Sequence, residues 1–124
     1  MSYLADLKTH WSATPSLNGL PLYKLLAFDQ QAPFAVVTIE SGEVSETTGP
    51  AYFIDHRFLV HVVDTDQNTC FEWSDKVIDA LRRASLGSSY SLMMFNSYTA
   101  EANPEGSFHI ALRFGVLENR TSSN

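Results

Sequence analysis

Between residues 108 and 117 the side-chain character changes at every step. Phe108, Ile110, Leu112, Phe114 and Val116 are large and apolar, whereas His109, Ala111, Arg113, Gly115 and Leu117 between them are mixed. A period of two places the first set on one face of a strand, whereas a helix would scatter it around its circumference. Ser107 to Glu118 therefore reads as a strand with one dry face, and that face obliges the rest of the chain to supply a cover. Ala51 to Val63 repeats the pattern. Its even positions are Tyr52, Ile54, His56, Phe58, Val60 and Val62, and its odd ones are Phe53, Asp55, Arg57, Leu59, His61 and Val63. Fully extended it would run on the order of 40 Å, beyond ordinary strand length, which predicts bending, twisting or projection past its neighbours.

The covering elements are legible too. Cys70, Trp73, Val77, Leu81 and Ala84, widened by Ile78, form an apolar stripe at helical spacing, which predicts a helix over Asn68 to Ala84. Asp64, Thr65 and Asp66 stand where caps are needed, and the pairs Glu72/Lys76 and Asp79/Arg83 lie one turn apart. Gly87 is the expected stop. Leu4, Leu7 and Trp11 mark a first helix, with Ser2 as its cap. A Pro-rich stretch with an Asn18-Gly19 turn follows, then a short extended piece over Leu22 to Leu26. Phe34 to Ser41 is β-branched and follows Pro33, so it reads as a strand, and the small acidic segment GEVSETTG after it as an exposed loop. Ser91 to Ala100 completes the strands, joined to the last by the turn residues of EANPEG. The resulting fold class is α+β: a mainly antiparallel sheet of four to five strands with two helices packed on one face, in the order α-β-β-β-α-β-β. Residues 1–118 form one domain and 119–124 a flexible tail.

Composition narrows the function classes. With 8 basic and 14 acidic residues the formal charge is −6, which disfavours sequence-specific nucleic-acid binding or attachment to an anionic membrane. No apolar run reaches the roughly 20 residues of a membrane span, and the first residues lack the apolar block of a signal peptide, so an intracellular setting is expected. A lone cysteine cannot close an internal disulfide.

The segment Ile54 to Trp73 gathers two histidines, four acidic residues and that cysteine. A metal site from His56, His61, Asp64 and Asp66 is the sharp reading. Residues five apart on a regular strand point to opposite faces, however, and both aspartates sit where a helix wants caps, so no metal is expected. Cys70 on an apolar stripe reads as a buried small side chain, not a nucleophile. Glu40, Glu43 and Glu46 cluster in a segment where acids merely keep a loop soluble. The signatures of nucleophile elbows, phosphate loops, dinucleotide sites and zinc proteases are absent, so neither an enzyme nor a cofactor is expected. What remains is surplus apolar strand surface, including Tyr52, Phe53, Phe95, Tyr98 and Leu117, for which a second copy of the chain is the natural cover.

The N-terminal helix, the Pro-rich loop, APFAVVTIE, a polar loop, the long strand ending FLVHVVDTD, the helix FEWSDKVIDALRRA and two closing strands together resemble the tail terminator and tail-completion proteins of long-tailed bacteriophages. The likeness lies in order and length over nearly the whole chain. It implies a non-enzymatic virion protein forming a homo-oligomeric, typically hexameric, ring that ends tail-tube growth and joins tail to head. Its partners would be itself, the tail tube protein and a head-completion protein, and its place the virion tail, or the host cytoplasm during assembly. The acidic balance would suit a lumen that lets DNA pass. The expected subunit contacts are Phe53, Asp55, Arg57, Leu59 and His61 on the mixed strand face, Glu43 and Glu46 in the polar loop, and Asn103 and Glu105 in the last hairpin. Two alternatives stay open: a small ligand-binding or enzymatic domain with a pocket between the second helix and the sheet, contacted by Tyr90, Tyr98 or His109, and a dimeric accessory protein.

Overall fold

A computed structural model describes residues 2–24, 31–46 and 49–121. The elements are α1 (Ser2–Ser12), a 3-10 turn (Pro15–Leu17), β1 (Leu22–Lys24), β2 (Phe34–Glu46), β3 (Ala51–Asp64), α2 (Gln67–Leu81), β4 (Met94–Ala102) and β5 (Phe108–Thr121). The protein is α+β, in the order α-β-β-β-α-β-β. One five-stranded sheet runs β1-β2-β3-β5-β4, parallel only between β1 and β2.

Parity along β3 organises the interior. His56, Phe58, Val60 and Val62 are buried on one face, opposite Val116, Phe114, Leu112 and Ile110 of β5. Both helices cover that face. Cys70, Val77 and Leu81 of α2 are completely buried, and in α1 Tyr3 lays its ring 4.6 Å from that of His56 and 5.8 Å from that of Phe58. Phe58 stacks on its cross-strand partner Phe114 at 5.7 Å, the aromatic pairing that holds neighbouring strands in register. The helices are tied together where His10 Nε2 meets the Ala80 carbonyl at 2.9 Å.

The Pro-rich stretch is anchored by Trp11, whose indole N–H donates to the Leu20 carbonyl at 2.8 Å. Gly19 takes a left-handed φ of 96° there, so the predicted Asn18-Gly19 turn has a conformational reason for glycine. Asp66 is the N-cap of α2, its carboxylate accepting from the Thr69 backbone N–H at 2.9 Å and the Thr69 hydroxyl at 2.8 Å. Asp64 accepts from the Thr65 N–H at 2.7 Å.

Three boundaries differ from expectation. β2 does not stop at Ser41 but runs to Glu46, because Gly42 to Glu46 pair with His56 to Tyr52 across a bulge at Glu40. Glu43 and Glu46 are thus strand residues and not loop residues, and the polar composition reflects exposure of a long hairpin rather than lack of structure. α2 ends at Leu81, before Gly87. Arg83 takes the left-handed position (φ 63°) while its N–H donates to the Met93 carbonyl and the Met93 N–H to the Ala84 carbonyl, so pairing with the segment before β4 ends the helix. β5 continues through Asn119, Arg120 and Thr121, which pair with β3. The remainder of the expected tail, residues 122–124, and the expected extension of β1 to Leu26 lie outside the described residues.

Phe58 sits fully buried between Tyr3 and Phe114 on the central strand. Phe58→Ala is expected to lower unfolding free energy by roughly 3–5 kcal/mol, whereas Asp66→Ala, which removes only a cap, costs about 1 kcal/mol. Urea unfolding followed by circular dichroism measures both.

Candidate functional site: the uncovered sheet face

The odd residues of β3 point away from the helices. Cross-strand register gathers on this face Thr38 and Glu43 of β2, Phe53, Asp55, Arg57, Leu59, His61 and Val63 of β3, His109, Arg113 and Leu117 of β5, and Ser97 and Glu101 of β4. No helix lies over it among the described residues.

Its centre is a chain of polar contacts running across the strands. The Thr38 hydroxyl meets His61 Nε2 at 2.9 Å, and His61 Nδ1 meets His109 Nε2 at 2.6 Å, with the rings 4.8 Å apart. One ring nitrogen of that pair must carry the proton and the other the lone pair. Burial, and secondarily charge on His109, hold His61 below the ordinary histidine range. One level along, Arg113 of β5 reaches over Leu59 to Glu40 on β2 at 2.7 Å and donates to the Ser97 hydroxyl on β4 at 3.2 Å. That side chain therefore links strands on both sides of β5. Toward the free end of the hairpin, Arg57 and Asp55 lie 3.5 Å apart, near the exposed Phe53 and Leu117. The face offers hydrogen-bonding groups, paired charges and isolated apolar side chains, a mixture that protein docking surfaces also show.

The expected contact residues divide into three places. Phe53, Asp55, Arg57, Leu59, His61 and Glu43 share the open face. Glu46, opposite Tyr52, belongs to the helix side of the hairpin. Asn103 and Glu105 lie at the opposite end of the sheet, in the β4–β5 turn, where the Asn103 amide donates to the Ser107 hydroxyl at 2.8 Å and that hydroxyl to Glu105 at 3.3 Å. His56 and His61 do point to opposite faces. Cys70 is buried, with its thiol directed at the Val62 and Phe108 carbonyls. Burial first, and then the Asp64 carboxylate, push it up to about 11.

A polar cluster on the helix side was not foreseen. His56 Nε2 contacts Glu118 Oε1 at 2.8 Å, and Arg120 Nε contacts Glu118 Oε2 at 3.0 Å. Burial alone would raise Glu118, but the hydrogen bonds from Arg120 and His56 prevail and hold it below the usual carboxylate range. The Tyr3 hydroxyl and His56 Nδ1 are buried there without hydrogen-bond partners among the described residues. The signal was present: Glu118 continues the apolar phase of β5 and His56 that of β3, and two polar interruptions of dry faces predict each other.

Recesses beside α2 are shallow. One of about 120 Å³ is lined by Tyr98 with Phe71 and Ile78, and a separate one of about 100 Å³ by His109 with Gln67 and Phe71. Tyr90 lines neither. Tyr98 and His109 thus line separate recesses between α2 and the sheet, each smaller than the roughly 300 Å³ at which small-molecule sites begin.

No family profile and no curated protein matches the sequence. Among solved structures, a chain from the virion of a native gene transfer agent particle shares the fold, with a TM-score of 0.70 and 18% sequence identity, over 94% of this chain and 93% of that one. At that identity the likeness establishes a common fold.

Two pH windows follow from the shifted groups. The lowered pKa of His61 means the folded chain resists its protonation, so this contribution is full above about pH 6.5 and declines as pH falls through the lowered value. The contribution of Glu118 is full above its ordinary value of 4.5 and is lost at still lower pH. His61→Gln is expected to flatten the stability profile only in the upper window, as read from denaturation midpoints across a pH series. The native Cys70 thiol should resist an aromatic disulfide reagent at neutral pH and react on unfolding.

Proposed function

We propose that this chain is a non-enzymatic structural protein of a phage-like virion, and within that class a tail terminator: a ring that ends growth of the tail tube and meets the head connector. The observation that carries this reading is the shared fold, spanning nearly all of both chains, with a component of a gene transfer agent virion. The order of elements, which resembles tail terminators from the sequence onward, supports the finer role. So does the open sheet face, whose charges are largely paired and whose exposed Phe53 and Leu117 suit burial against protein rather than a small ligand.

The working form is a homo-oligomeric ring in the virion tail, assembled in the host cytoplasm, with the tail tube protein against one rim and a head-completion protein against the other. A ring stops polymer growth when one rim imitates a tube subunit and the other offers the tube nothing to add to.

Particles made without this chain should carry tails of uncontrolled length or tails lacking heads, seen by negative-stain electron microscopy, and supplying the chain should restore a single length. Normal tails in its absence would overturn the terminator role. The purified chain should show a mass of several subunits by light scattering, rising with concentration.

A further inference from the structure

The sheet ends on two strands whose outer edges are open. β1 covers β2 only at Ala35, Val36 and Val37, so among the described residues Thr38 to Glu46 have no strand beyond them. β4, nine residues long, pairs with β5 on one side, and among the described residues nothing pairs with it on the other. The free part of β2 contains as many residues as β4. Such edges are templates for another strand. Three successive antiparallel pairings separate β2 from β4, so the two run in opposite directions. A second copy in the same orientation, moved across the sheet, lays its β2 antiparallel to this β4 with the helices of both copies on one side.

We propose that the β2 edge of one copy pairs with the β4 edge of the next, as a head-to-tail joint between identical chains. The exposed apolar side chains fit it. Ile39 (43% exposed) and Val44 (56%) stand on the helix side of the β2 edge. Tyr98 (57%) stands on the same side of the β4 edge, beside Phe71 of α2 (37%). These two pairs lie at opposite edges of one molecule, and the joint between copies is what brings them together. Charge fits as well. Antiparallel pairing carries the end of β2, with Glu46 on the helix side and Glu43 three residues earlier on the open face, to the start of β4, where Arg82 and Arg83 are exposed and the Arg83 N–H is held by the Met93 carbonyl. None of these four side chains has an ion-pair partner among the described residues.

The contact is heterologous, so repetition closes a ring or winds a helix. The centres of the two edges, Gly42 and Tyr98, are offset by about four rungs, ~13 Å along the strands. A ring accommodates such an offset by tilting its strands against its axis. The joint rests on the ring reading above and names its contact.

The test uses two charge-reversed full-length chains, Arg82→Glu/Arg83→Glu and Glu43→Arg/Glu46→Arg, each checked for an unchanged thermal transition. Either alone should need at least about tenfold more protein to assemble by light scattering. Mixed in equal amounts they should assemble as the wild type does, because each supplies the edge charge the other lacks. Val44→Lys and Tyr98→Lys, at exposed positions that leave the fold intact, should each block assembly. Oligomers of undiminished affinity in every variant would overturn the joint while leaving the ring. A wild-type chain that stays monomeric at its highest soluble concentration would overturn both.

Discussion

The pairing of β3 with β2 on one side and β5 on the other decides, rung by rung, which side chains meet the helices and which face outward. A slip of one residue would carry Phe58, Val60 and Val62 to the open face and bury Arg57, Leu59 and His61 in their place. Stacked Phe58 and Phe114 make that slip costly, and Tyr3 locks the arrangement from the helix side. Helix placement, the polar chain across the open face and the offset between the two edges all inherit this register. The molecule is in that sense a three-stranded plank, with β1 and β4 as short side pieces.

Much of this was legible in the residues because the period-two patterns of β3 and β5 are long and the stripe of α2 is clean. The helix-strand order, the covered face and the opposed histidines all come from those periodicities. The polar segment after Ser41 was misread because composition reports solvent exposure, and a hairpin reaching past its helices is exposed on both faces while its two strands still pair with each other. The helix stop was misplaced because Arg83 adopts its left-handed backbone through a long-range bond to Met93, which local sequence does not encode. Contacts between His61 and His109, or Glu40 and Arg113, depend on register between distant strands, which no single segment reveals.

Two kinds of polar grouping have different work. The His56–Glu118–Arg120 cluster links β3 to β5 on the helix side, and its His56 packs against the Tyr3 ring of α1, so it bears on stability. The chain from Thr38 through His61 to His109, and the reach of Arg113 to Glu40 and Ser97, lie on the open side and stiffen it. A partly apolar face whose Arg57 and Arg113 are already paired can meet another protein surface without much loss of freedom in those side chains.

The strand order carries a further consequence for the timing of folding. β4 touches the sheet only through β5, and β5 is the later of the two in the chain while lying nearer the middle. β4 therefore precedes in the chain the strand it pairs with and, apart from its contacts with α2, joins the sheet only once β5 lies beside β3. β5, which follows β4 in the chain, is the inner of the two strands, and its placement is what creates the outer edge at β4. The β4 edge therefore exists only in a chain whose β5 already stands between β3 and β4, so any contact made through that edge reports a completed sheet.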